Sequence, residues 1–458
     1  MSATTTTGGG AVRLPGFIDS RRTGRFQGGT VLLCGLVMFL DGFDTQAINY
    51  MAPAISADWG LEKADLGPIF SAALVGLMIG YLLVAPLSDR FGHKRLVLGG
   101  VLLFALTTLG SVWVQNEAQL LVMRLITGIG LGAATPSTIA LTAEFSPKKV
   151  RASFVLAIYC GFSLGFVAAN YVADWLIPAH GWRSVFLVGA LAPLLLTVIL
   201  AWRLPESLNF LARRERHAAA YALCRKIDRD LPVVSAPRVE SESEAQGKQV
   251  RLREVVGGGQ LVGTLLLWLV FALNLAMFYG LQSWMPTILT EQGYSSSTLA
   301  TAASMTTIGG IAIAFVVGPA MDRLGAFGAL STLYFVGCGF LTIMSLALGA
   351  PVWVLLIAIF LTGCSVSGGQ KSVIALAAVF YPAEVRSTGV GWALGIGRVG
   401  GIVGPMIVGA MLAGGWSAEQ FFLAMAVPSA VCGTLVLYLG VRAKARAKAE
   451  ISAETAAV

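Results

Sequence analysis

Two carboxylates carry the clearest chemistry in this chain. Asp41 and Asp44 stand three residues apart in the run Met38-Phe39-Leu40-Asp41-Gly42-Phe43-Asp44, roughly halfway along an apolar stretch over residues 28–53. Residues at that spacing share one side of a helix. An ionisable group at membrane depth costs about 2.5–3.5 kcal/mol or more, which makes it a functional candidate by default. Two like charges so close in a low dielectric do not both ionise easily. That is the behaviour a proton carrier needs. The competing reading is a neutral pair that only bonds one helix to another.

Three cations lie within other apolar stretches. Arg398, near the middle of 387–412, is the best candidate to hold a carboxylate, since a guanidinium stays charged and its planar fork matches that group. Otherwise it forms a structural ion pair with Asp41 or Asp44. Lys371 either serves as a second carboxylate ligand or extends its stem toward the membrane surface. Arg124 either orients an incoming acid or makes a structural pairing. Phe43, Tyr279 and Trp392 have rings that stack on an aromatic ligand or simply pack. The histidines fall in loops and the six cysteines show no CxxC spacing, so neither a metal site nor disulfides are expected. No cofactor is expected beyond the proton as coupling ion.

Helices must position these groups. Of 458 residues, 56% are hydrophobic and 12% charged, against roughly 25% charged in a soluble domain. The net charge of +8 is no nucleic-acid signal, because the basic residues occupy particular loops. Twelve apolar stretches are each long enough to cross a ~30 Å hydrocarbon core: 28–53, 66–88, 95–115, 117–143, 153–176, 184–203, 259–284, 298–320, 328–349, 352–380, 387–412 and 418–441. The predicted fold is an all-α membrane protein of twelve transmembrane helices, embedded in a lipid bilayer, in two six-helix halves at 28–203 and 258–441. A tail (1–27), a central loop (204–257) and a second tail (442–458) flank them. Lys and Arg gather in both tails, the central loop and the second-to-third and fourth-to-fifth connections. Only Lys63 and Arg183 lie on the other side, so both termini and the central loop are expected in the cytoplasm. The polar N-terminal tail argues against a cleavable signal. The central loop, with a Ser/Glu-rich part at 239–246, reads as a mobile linker. Its basic stretch from Arg213 to Arg229 reads as an amphipathic segment on the inner membrane surface.

The halves repeat. Residues 139–153 match 374–388 at eight of fifteen positions, an offset of 235. Asp89-Arg90-Phe91-Gly92 matches Asp322-Arg323-Leu324-Gly325 at an offset of 233, as Pro53 matches Pro286. A duplicated six-helix unit is the design of transporters whose site lies near the midplane between repeats. The offset sets the uncharged Asn274 opposite Asp41 and Pro136 opposite Lys371.

Twelve spans, a long middle loop and this duplication resemble the major facilitator superfamily. Ala85-Pro-Leu-Ser-Asp-Arg-Phe-Gly-His-Lys-Arg95 is similar to its hallmark loop motif, with Ala85 where glycine is usual, and Gly318-Pro-Ala-Met-Asp-Arg-Leu-Gly325 is the second copy. A narrower resemblance, to the aromatic acid:proton symporters, rests on Asp41-Gly-Phe-Asp44, Pro205-Glu206-Ser207 and Gly395-Ile-Gly-Arg398. The helix-five Gly-Pro motif of drug/proton antiporters is missing from 160–170. The resemblance implies a gate at Asp89, Arg90, Asp322 and Arg323, with Glu144, Arg151 and Arg386 as partners. Surface ion pairs contribute roughly 0–1 kcal/mol each; a gate needs only a few kcal/mol. The competing reading is a solvated cluster that sets topology.

Together these readings imply a proton-coupled importer of a small aromatic carboxylate in a bacterial inner membrane, working as a monomer, with no nucleic-acid partner and no enzymatic activity. Import of another organic acid, export, and a non-transporting sensor of aromatic acids remain as rival readings.

Overall fold

The computed structural model describes residues 6–7, 11–21, 23–235, 237–240, 261–381 and 386–456. Among these residues, twelve helices are long and apolar enough to cross a membrane. They are α1 (Arg25–Trp59), α2 (Lys63–Phe91), α3 (His93–Trp113), α4 (Glu117–Glu144), α5 (Lys148–His180) and α6 (Arg183–Arg203), followed by α7 (Leu261–Glu291), α8 (Ser296–Met321), α9 (Ala326–Ala347), α10 (Val352–Ala377), α11 (Gly389–Ala413) and α12 (Ala418–Ala445). Each predicted stretch falls on one helix. α1 and α5 run past their apolar windows at both ends, because backbone hydrogen bonding continues into polar residues that hydropathy does not count.

α2 is not uniform. Its α-helical part ends at Ile79, and a π turn (Gly80–Val84) and a 3-10 turn (Ala85–Leu87) precede a last α-helical turn, Ser88–Phe91. Pro86 lacks the N–H that would continue the ladder. Gly92 then stops the helix at φ +97°, and its repeat counterpart Gly325 does the same at φ +82°. A side chain is rarely accommodated in that region of backbone space.

The chain forms two compact units. One holds Met1–Ala47, Val75–Ala169 and Leu176–Lys248; the other holds Ile48–Leu74, Asn170–Trp175 and Gln249–Val458. In the second unit, stretches of α1, α2 and α5 join the helices of the C-terminal half. Tyr50 donates to the Ser296 carbonyl (2.6 Å), Ser71 to the Ile402 carbonyl (2.7 Å), and Lys63 pairs with Glu291 (2.9 Å).

Within each unit, glycines let helices touch. A Cβ on Gly165 of α5 would collide with the Phe39 carbonyl of α1, and one on Gly400 of α11 with the Ala272 carbonyl of α7. Likewise Gly76 of α2 lies against the Leu125 carbonyl of α4, and Gly309 of α8 against the Phe360 carbonyl of α10. These pairs are related by the same offsets, 233 and 235, that relate the two halves of the sequence. Small residues at such crossings allow the dispersion contacts that hold helices together where lipid offers no hydrophobic drive.

The loops differ from expectation. Strands β1 (Thr6–Thr7), β2 (Ala11–Arg13) and β3 (Arg238–Glu240) form one small sheet, with β2 and β3 parallel in the register Val12↔Val239. The N-terminal tail is thus joined to the central loop. Short helices at Leu208–Arg213 and His217–Ile227 precede β3. The second is amphipathic as expected, but Ala220, Tyr221 and Cys224 are buried in a core with Val12, Phe17, Leu204 and Leu208. Its apolar side meets protein, where the sequence reading placed it on membrane. Burial pushes the Cys224 thiol up to about 12.

Candidate functional site

Gly42 separates the two acids, and it is a contact point. A Cβ there would collide with the Phe162 carbonyl of α5. Close approach of α1 to α5 leaves the flanking carboxylates to other helices. Asp44 is 3% exposed and Arg124 of α4 is 1% exposed. One guanidinium nitrogen, Nη1, donates to both Asp44 carboxylate oxygens, at 3.0 and 2.9 Å. Thr108 of α3 donates to the same carboxylate at 3.4 Å. Asp41, also buried, accepts from the Thr135 hydroxyl of α4 at 2.9 Å. Both acids therefore turn toward α4, one to a cation and one to a hydroxyl.

This settles the partner of Asp44. From sequence, Arg398 is an equally good ion-pair partner for Asp41 or Asp44, and Arg124 either orients an acid or pairs. Arg124 takes Asp44. Phe43 is buried, within packing distance of Gly189 on α6. Thr108 and Thr135 were missed, since a threonine in an apolar helix carries no signal until a carboxylate faces it.

The second unit holds the other candidates. Half-buried Arg398 on α11 donates from Nη1 to the Tyr279 hydroxyl of α7 at 3.1 Å. Asn274, on the same helix as Tyr279, is fully buried, and neither side-chain polar atom has a hydrogen-bond partner among the described residues. The hydroxyl of buried Tyr334 on α9 is in the same condition. Both approach Gly369 of α10, where a Cβ would lie 2.9 Å from Asn274 Nδ2 and 3.0 Å from Tyr334 Cε1. Leaving such groups unpaired costs about 1–3 kcal/mol each, so polar recesses of this kind are where a ligand or water gains hydrogen bonds. Tyr334 was not foreseen, because one tyrosine in an apolar helix reads as packing. Lys371 is half-buried on α10. Trp392 is exposed and stacks on Trp268, ring centroids 6.1 Å apart.

At the charged helix ends, several of the gate candidates bond to the N-terminal tail and to the loop after α6. Glu144 accepts from the backbone and side-chain nitrogens of Asn209, at 2.7 and 2.8 Å. Arg151 faces Asp19 at 3.9 Å. Asp89 and Arg90 are exposed, and the Arg90 carbonyl accepts from Arg214 at 2.8 Å. Arg323 is exposed, while the side chains of Asp322 and Arg386 lie outside the described residues. The residue that organises the α2–α3 turn is Glu206. Its carboxylate accepts from the Lys94 backbone N–H in the first turn of α3 (3.0 Å) and from Ser207 (2.9 Å), and it fills the space a Cβ on Gly92 would need. The Pro205-Glu206-Ser207 run is thereby bonded to Lys94 and packed against Gly92, at the end of the Asp89-Arg90-Phe91-Gly92 loop.

A model described as the Major Facilitator Superfamily matches residues 34–349. The chain is 38% identical to the 4-hydroxybenzoate transporter PcaK of Pseudomonas aeruginosa over 426 residues, 93% of this chain and 95% of that protein. It is 37% identical to the gallate transporter of Pseudomonas putida, over 95% of this chain and 97% of that one. Among solved structures, the inward-open xylose transporter XylE from E. coli superposes with a TM-score of 0.68 over 90% of this chain and 95% of that chain, and its 17% identity makes this a likeness of fold alone.

Proposed function

As the chain belongs to the Major Facilitator Superfamily, in the group of its aromatic acid transporters, we propose that it imports a small aromatic carboxylate of the hydroxybenzoate or benzoate class together with protons, by alternating access, as a monomer in a bacterial inner membrane. Its relatives are transporters and not enzymes, and it shares their architecture. The observation that carries the proton reading is the burial of Asp41 and Asp44 in one membrane helix. Charges at that depth are retained where they do work.

In this reading Asp41, bonded to a neutral hydroxyl, takes the proton, and Asp44 with Arg124 forms the fixed partner that keeps a carboxylate and a cation beside it. Arg398 receives the substrate carboxylate, since a guanidinium has five donors in a fork that suits that group, and Tyr279 holds its orientation. Asn274 and Tyr334 supply hydrogen bonds to a ring hydroxyl. Lys371 adds positive charge on α10. Proton and substrate together neutralise the charges that resist the change of access, and the gate that the family resemblance implies at Asp89 and Asp322 then opens.

Uptake of radiolabelled 4-hydroxybenzoate, benzoate and protocatechuate into cells expressing the chain, with and without a protonophore, tests this. Protonophore-sensitive accumulation of at least one acid is expected. With expression in the membrane confirmed, no accumulation of any of the three refutes the substrate class, and accumulation indifferent to the protonophore refutes proton coupling.

A further inference from the structure

The α2–α3 turn and the loop after α6 line an open cavity of about 520 Å3 with an unbalanced lining. Arg90, Lys94, Arg95, Arg214 and Arg216 surround it, with Glu206 as the single acid. That acid is engaged by the Lys94 and Ser207 backbone N–H groups. Arg90, Arg95, Arg214 and Arg216 are exposed, and among the described residues none of them forms an ion pair. Arg214 is pinned by its bond to the Arg90 carbonyl, and Lys94 Nζ by the Ala201 carbonyl at 2.8 Å. Like charges held around a concave space attract a counter-anion.

Arg95, Leu98, Leu102 and Leu106 follow one another at helical spacing along one face of α3. Leu98 lines the cavity, and Leu102 and Leu106 are exposed beyond it. On α6, which reaches the cavity through the Lys94–Ala201 bond, Leu195, Ile199 and Trp202 are exposed, Trp202 by 81%. A cationic recess at the end of an apolar helical face matches a phosphate headgroup with acyl chains, and a free phosphate would have no use for the apolar face. Basic pockets at the cytoplasmic ends of membrane helices bind such headgroups.

We propose that this cavity binds the headgroup of an anionic phospholipid, with the phosphate among Arg95, Arg214 and Arg216 and an acyl chain along Leu98, Leu102 and Leu106. The site rests on the reading of the chain as a membrane protein with this face toward the cytoplasm, and is independent of what the protein transports. A bound lipid would tie the α2–α3 turn to the segment 208–216.

The test titrates purified full-length protein with dioctanoyl phosphatidylglycerol, with dioctanoyl phosphatidylcholine and inorganic phosphate in parallel, and reads adducts by native mass spectrometry. Phosphatidylglycerol should bind at lower concentration than phosphatidylcholine. R95Q/R214Q/R216Q should weaken it roughly tenfold or more, and the exposed change Arg216→Gln alone about fivefold. The charge-matched variant R25Q/K149Q/K444Q, none of whose positions lines the cavity, should bind as the unmodified protein does. Equal weakening in both triple variants would reduce the effect to net charge and overturn the site. Phosphate competing as well as the lipid would make it a free-anion site, and an Arg216→Gln variant that binds unchanged would remove that residue from it. Because binding and not flux is read, these outcomes stand apart from the transport result.

Discussion

Removing one member of the Asp44–Arg124 pair should be worse than removing both. Arg124 Nη1 lies 2.9 and 3.0 Å from the two carboxylate oxygens, and the residues are 1% and 3% exposed. At an effective dielectric of about 20 and a charge separation of about 4 Å, their attraction is about 4 kcal/mol. Breaking a buried pair from one side strands a charge and costs about 3–5 kcal/mol, whereas replacing both partners by uncharged groups is often close to neutral. Arg124→Gln leaves the Asp44 carboxylate with the longer Thr108 bond of 3.4 Å. Asp44→Asn leaves a guanidinium inside an apolar unit. The expected result is a loss of several degrees in apparent melting temperature for each single variant in detergent, and a double variant D44N/R124Q that melts closer to the unmodified protein than either. The coupling in this double-mutant cycle should be about 3 kcal/mol. Strictly additive losses, with the double variant the least stable, would refute the pairing. The folded double variant then reports separately, by uptake, on whether transport needs this charge pair.

Asp41→Asn should abolish protonophore-sensitive accumulation while retaining counterflow exchange, since a permanently neutral side chain permits substrate movement without a proton; accumulation at the unmodified level would count against Asp41 as carrier. Gly42→Ala should lower the yield of folded protein in fluorescence size-exclusion profiles, because its Cβ would strike the Phe162 carbonyl, and Gly99→Ala, which meets nothing within 4 Å, should not. Glu206→Ala should increase proteolysis of the loop after α6 and lower the melting temperature by an amount fitting about 1.5–3 kcal/mol for a charge-assisted bond, and Glu206→Gln should lose less because it still accepts from Lys94. In a variant whose other cysteines are replaced, Cys224 should resist maleimide in the folded state at pH 7–8, since burial raises its pKa to about 12 and the reactive thiolate is scarce below that value; labelling should appear once detergent unfolds the loop.

Much of the architecture was legible in the chain. Twelve long apolar stretches leave a membrane-spanning helix as the way to satisfy the backbone in lipid, and the run from Asp41 to Asp44 marked two carboxylates that the fold buries. The twofold repeat was equally plain, and it reappears as physical contacts: the same two offsets relate Gly165–Phe39 to Gly400–Ala272. These features depend on local composition and periodicity, which a sequence displays directly.

What tertiary packing decided was which charge meets which. Arg124 lies 80 residues from Asp44 in the chain, and only the antiparallel passage of α4 beside α1 brings its guanidinium to that carboxylate and Thr135 to Asp41. Sequence offers several cations in apolar stretches, and only the fold shows that it is Arg124 whose guanidinium reaches the Asp44 carboxylate, at 2.9 Å. The same holds at the loops. Glu206 stands out in the sequence only as part of a family motif, and the fold alone shows that it occupies the space left by Gly92 and bonds the start of α3. The apolar side of His217–Ile227 found a protein core because the N-terminal tail, through Val12 beside Val239, was there to cover it. Helix and repeat follow from short-range chemistry in the chain; pairing follows from three-dimensional proximity between residues far apart in the sequence.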